Sequence, residues 1–92
     1  QTTPAWHSYN GSEVLEALGR ERFERLYRFR ELVDAGVRVT FGSDFPASGI
    51  LGALPAYNMA IGATRRLPGE PMQGAAEQRL TIEELVRGYT ID

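Results

Sequence analysis

Few side chains in this sequence are placed to do chemistry, and the stretch VRVTFGSDFPASG, residues 37 to 49, holds the foremost of them. Val37, Val39 and Phe41 alternate there with Arg38, Thr40, Gly42 and Asp44. Side chains of an extended chain point to opposite faces in turn, so this period predicts a strand over 37–43 with one greasy face and one small, polar face. Asp44 then stands at the C-terminal tip on the polar face, just before Phe45 and Pro46. In barrels of alternating strands and helices, chemistry is built at that end of a strand. The plain alternative is a turn, in which the Asp44 carboxylate bonds a backbone N–H two residues on. His7 is the sole histidine, so the chain forms no multi-histidine metal site by itself, and packing against Trp6 or Tyr9 would explain it. Ser43 is excluded as a nucleophile: FGSDFP lacks the second glycine of a nucleophile elbow, and no His-Asp partner pair can be read. The glycines from Gly42 to Gly52 match neither a dinucleotide fingerprint nor a P-loop.

The elements that position these residues follow from pattern. QTTPAWHSYNG, with Pro4 and the Asn10-Gly11 pair, reads as an irregular loop. Ser12 caps a short helix, EVLEALG, that closes at Gly19. RERFERLYRFRELVDAG reads as one helix: Phe23, Leu26, Tyr27 and Val33 recur at helical spacing, Phe29 widens the stripe and Gly36 ends it. Arg30 falls inside that stripe, which predicts a packed stem with its head paired to a carboxylate. A helix followed at once by a strand is half of an α/β unit, with the apolar strand face against helices. ASGILGALP reads as a loop, AYNMAIGATRR as a helix weakened by Gly62, and LPGEPMQGAAEQR as a long polar connection. Thr81 and Glu84 have the spacing of a capping box, opening a helix with Ile82, Leu85, Val86 and Tyr89 on one side.

Bulk properties narrow the choices. The 92 residues suffice for a single unit spanning 1–92, since domains usually run to roughly 100–150 residues. Ten basic and twelve acidic residues, mixed along the chain, give a net charge of -2, which argues against a nucleic-acid partner. With no cysteine, disulfides and thiolate metal sites are excluded. No apolar run approaches the roughly 20 residues of a membrane helix, so no membrane partner is expected, and the cytoplasm is favoured over secretion. A start at Gln1 and a stop at YTID fit a piece of something longer.

Three blocks, LYRFRELVDAGVRVTFGSDFP, YNMAIGATRR and QRLTIEELVRGYTID, resemble in order and spacing the C-terminal part of the catalytic domain in the amidohydrolase superfamily, nearest to the amidohydrolase family 3 branch of metal-dependent hydrolases. Together they cover most of the chain. The resemblance implies an α/β fold class: a C-terminal fragment of a distorted (β/α)8 TIM-like barrel, mostly helical, with residues 37–43 as its eighth strand. It implies one or two divalent metal ions in the complete enzyme, zinc foremost, with Asp44 as both metal ligand and general base. A bound divalent ion brings the pKa of water down to about 7, and a neighbouring carboxylate accepts the proton and passes it to the leaving nitrogen. The family's other ligands, a His-x-His or His-x-Asp pair, later histidines and a bridging lysine or carboxylate, lie upstream of the matching blocks. A barrel of this type takes about 250 residues, of which this chain is little more than a third. No family ligand stands at His7, so Trp6, His7 and Tyr9 are expected to line a substrate pocket. Thr64-Arg65-Arg66 matches a family block that brings no catalytic role, and arginines at a helix end suit its C-terminal dipole.

The resulting expectation is a fragment of a metal-dependent amidohydrolase that cleaves amide-like C–N bonds of a small molecule, inactive alone. Its apolar faces are then meant for the remainder of the barrel, and the isolated piece would form a homo-oligomer. The alternatives are a non-catalytic helical interaction module and a degenerate family member that has lost its upstream ligands.

Overall fold

The computed structural model describes residues 1–9, 11–67, 69–70 and 75–90, the side chains of residues 8, 9, 11 and 12 excepted. Its helices are α1 (Trp6–Tyr9), α2 (Gly11–Leu18), α3 (Arg20–Phe23), α4 (Phe29–Asp34), α5 (Gly49–Gly52), α6 (Pro55–Thr64) and α7 (Ile82–Thr90), with a 3-10 turn at Ala76–Gln78 before α7. Local sequence sets several boundaries. At the end of α4 the Gly36 N–H donates to Val33 O and the Val37 N–H to Leu32 O, with Gly36 at φ 81°, a Schellman closure that needs a residue without a Cβ penalty. Pro55 opens α6, where its missing N–H costs nothing. The capping box of α7 forms in both directions: the Thr81 N–H donates to Glu84 Oε2 at 2.8 Å and the Glu84 N–H to Thr81 Oγ1 at 3.2 Å.

Short helices α1 and α5 occupy stretches expected as loops, Ser12 falls inside α2 instead of capping it, and two larger expectations are corrected. The stripe over 20–36 does not form one helix; α3 and α4 are separated, and Tyr27 between them has φ 52°. In a continuous helix the Leu26 and Tyr27 carbonyls would accept from residues 30 and 31. Instead both accept from Arg65, Nη1 to Tyr27 O at 2.7 Å and Nη2 to Leu26 O at 3.2 Å, while the Glu31 N–H turns to Gln78 Oε1 at 3.3 Å. Tertiary partners take the groups a helix needs, and propensity yields.

The second correction concerns the strand expected over residues 37–43; the described residues form a small compact helical unit. No strand is present among the described residues; a single parallel bridge joins Thr2 to Phe41. The Thr2 N–H donates to Thr40 O at 2.9 Å and the Gly42 N–H to Thr2 O at 3.0 Å. A strand exists through its ladder, and this segment has one short neighbour on that edge. On the other edge the Phe41 N–H donates to Gly88 O of α7 at 3.0 Å. The alternation nevertheless holds in part: Phe41 is buried and Val39 packs on the core, whereas Val37, of the same parity, is half exposed.

The core gathers Phe29, Phe41, Leu80 and Leu85, with Tyr27, Val33, Val39, Met59, Ala63 and Tyr89 around them. Phe29 packs edge-on to Phe41 at 6.1 Å between centroids, and Phe41 packs on Tyr89 at 5.5 Å. The radius of gyration, 12.5 Å, is near that of a compact domain of roughly 100 residues. Glycines permit the close approach of α7: a Cβ at Gly62 would stand 2.6 Å from Leu85 Cδ2, and one at Gly88 would run into the Phe41 ring and lie 3.0 Å from Val39 O. Gly88→Ala should therefore lower stability by about 1–2 kcal/mol, because overpacking outweighs the gain in helix propensity. A urea midpoint at or above the parent value would contradict that packing.

Candidate functional site

Asp44 stands two residues beyond the bridged segment, exposed, with a backbone φ of 53°. Aspartate tolerates this left-handed region better than most residues. The turn reading required its carboxylate to bond an N–H two residues on, but residue 46 is proline and has none. The local turn bond is made by Ser43 instead, whose Oγ accepts the Phe45 N–H at 3.1 Å. A further backbone bond runs from the Ser48 N–H to Asp44 O at 3.2 Å. The carboxylate is thus released from turn duty, and its Oδ2 accepts the Trp6 Nε1–H at 3.1 Å.

Topology brings that pair together. Residues 2 and 40–42 lie parallel and hydrogen-bonded, and each segment runs on into one of the two partners, Trp6 at the start of α1 and Asp44. Parallel neighbours require a long crossover, supplied here by α1 to α4. The two side chains meet beyond the same end of the pair and line a cavity of about 330 Å³ with Gln1, Thr2 and Thr3. Thr2 and Thr3 were not singled out from the sequence; their place here follows from the bridge, which no local pattern announces.

α1 is firmly seated. Ala5, fully buried, donates its N–H to Asn58 Oδ1 at 2.9 Å, and the same amide donates through Nδ2 to Gly52 O at 2.6 Å. One buried asparagine thereby joins the N-terminal segment, α5 and α6.

The other pocket candidates separate from Trp6. His7 does not line this cavity: it is buried, with its ring edge-on to Tyr27 at 6.1 Å between centroids. His7 is packed in the interior, with Tyr27 as an aromatic neighbour where Trp6 or Tyr9 was expected. Burial, aided by the Arg65 charge, lowers its pKa from 6.5 to about 4. The Tyr9 side chain lies outside the described residues. Arg65, expected to serve the end of its own helix, is buried and bonds the carbonyls at 26 and 27; desolvation pulls its pKa down to about 10.

A divalent ion needs three or more ligands converging on it. Among the described residues no group of three histidine, cysteine, aspartate or glutamate side chains converges, and Asp44 is the one such residue lining the cavity. The described residues do not fit a complete metal centre. No helix among the described residues is long and apolar enough to cross a membrane. In comparison with known proteins, the chain matches no family model, no curated protein and no solved structure.

The buried histidine makes stability depend on pH in a defined direction. Between about pH 6.5 and 4 the unfolded chain takes up a proton at His7 that the folded chain resists, so this contribution is complete above 6.5 and is lost as pH falls to 4. The span corresponds to about 3 kcal/mol. Urea titrations across that range should show a steep decline for the parent chain and a flatter one for His7→Gln. Parallel curves would mean that the histidine is solvated.

Proposed function

We propose that this chain is part of the catalytic barrel of a metal-dependent hydrolase acting on amide-like C–N bonds of small molecules, with Asp44 as general base. The observation that carries the reading is the meeting of Trp6 and Asp44 at one end of a parallel, bridged pair joined by a helical crossover. Barrel active sites are built at the C-terminal ends of parallel strands, and the one parallel bridge between Thr2 and Phe41 has the matching direction. The three sequence blocks that resemble the amidohydrolase family 3 branch support the same reading.

What this chain contributes is a carboxylate free of local turn bonding beside a cavity open to solvent. It accepts a proton as water attacks the carbonyl carbon, and returns that proton to the nitrogen as the C–N bond breaks. The divalent ion, zinc foremost, would be held by Asp44 with ligands from outside this chain and would supply an acidified water when bound.

A second reading, the non-catalytic interaction module, is favoured by a specific feature. Ile50 is 81% exposed, and Phe45, Leu51, Leu54 and Ile82 are each more than half exposed. Apolar side chains in that number suit a covering partner. A covering barrel and a covering protein both suit them, so the chemistry at Asp44 discriminates.

The decisive experiment uses the full-length protein that contains the chain. Metal content and turnover of a panel of N-acyl and N-formyl compounds are measured beside Asp44→Asn. We expect near-stoichiometric zinc in the parent and a loss of kcat on the order of 10²–10⁴-fold in the variant. A metal-free parent without activity would favour the module or a degenerate family member, and an equally active variant would remove Asp44 from the chemistry.

A further inference from the structure

We propose that Trp6 is a positioning residue for Asp44: its indole N–H fixes one carboxylate oxygen and leaves the other to the reacting centre. The inference rests on the reading of Asp44 as general base. It goes beyond a lining role for Trp6, because it assigns the residue to the base instead of to the substrate.

Four observations carry it. First, the bond has one polarity. An indole N–H donates and never accepts, so at 3.1 Å from Oδ2 it is satisfied by a carboxylate lone pair. Second, local bonding leaves the carboxylate unfixed, since Ser43 makes the turn bond and Pro46 has no N–H to offer. Third, the donor is anchored independently of the site. The Trp6 N–H donates to Thr3 O at 3.1 Å, and the adjoining Ala5 is fully buried and held by Asn58. An indole on such a base orients its partner, whereas two mobile side chains would share their disorder. Fourth, both residues line the same cavity, so the carboxylate oxygen not bonded to Trp6 belongs to a group with solvent access.

The choice of donor has a chemical consequence. An arginine at this place would hold the carboxylate more tightly, but its positive charge would weaken it as a proton acceptor. A neutral N–H orients it and perturbs its basicity less. This is the role played by the hydrogen-bonding partners of active-site ligands, whose loss commonly costs about 10–100-fold in activity.

In the ¹⁵N-labelled full-length protein, the resonance lost in Trp6→Phe identifies the Trp6 indole N–H. Asp44→Ala should move that resonance upfield and speed its exchange with water, with amide resonances of α4, α6 and α7 unchanged as the control for folding. An indole resonance that stays in place would overturn the proposal. In the full-length enzyme, Trp6→Phe keeps an aromatic ring and removes the donor. Its kcat should fall about 10–100-fold with KM within about twofold of the parent. A raised KM with unchanged kcat would overturn the proposal and return Trp6 to a substrate-lining role. An Asp44→Asn enzyme that still turns over would overturn it by another route, through the reading of Asp44 itself. That outcome is recognisable because the indole resonance would still report the contact.

Discussion

The arrangement of this molecule depends on one guanidinium. Arg30, in α4, forks onto Glu84 of α7 with Nη1 to Oε1 at 2.8 Å and Nη2 to Oε2 at 2.5 Å. Its Nε and Nη2 also donate to Arg79 O, and Nη1 reaches Asp34 within its own helix. Paired, planar contacts of this kind are directional, and hydrogen bonds to charged groups contribute about 1.5–3 kcal/mol each where shielded from water. The Glu84 carboxylate is held down to about 2 chiefly by that arginine, and it simultaneously closes the capping box of α7. A single carboxylate therefore starts the last helix and ties it to α4. With the helix so placed, Leu85 and Gly88 face inward, and Gly88 O lies in reach of the Phe41 N–H.

That chain of dependence shows what could be read in advance. Capping chemistry is local, and Thr81 with Glu84, Gly36 and the pairing of Arg30 with a carboxylate were legible from spacing and residue type. The identity of that carboxylate was not, because Glu84 lies 54 residues away. Alternation at 37–43 correctly put Val39 and Phe41 on the packed face. It overreached in naming a strand, since side-chain period reports burial on one face and says nothing of whether a hydrogen-bonding neighbour exists.

The site divides along the same line. Asp44 could be nominated from the end of a period-2 run, whereas the turn bond that Ser43 makes was not anticipated. The contact between Trp6 and Asp44 spans 38 residues of chain and arises only once α1 to α4 have folded into a crossover. His7, grouped with Trp6 by proximity in sequence, shows the weakness of that criterion. A helical turn sends neighbouring side chains in different directions, and His7 goes to the interior while Trp6 goes to the cavity.

The interior end of this arrangement explains why the site depends on a residue remote in sequence. Burying the Arg65 guanidinium is unfavourable unless its donors find partners, and both of its Nη groups find them in the Leu26 and Tyr27 carbonyls, while its buried Nε stays without one. Those carbonyls are available only because the helix is broken there. The break and the burial are thus one event, each removing the penalty of the other. At the break Tyr27 takes its left-handed backbone and presents its ring both to His7 and to Phe29 at 6.0 Å, extending the aromatic core to the residue that follows Trp6. A continuous helix through 20–36 would satisfy its own carbonyls, strand the Arg65 charge and remove this support from α1. The sequence with the stronger local preference for helix would then lose the seating of the tryptophan that meets Asp44.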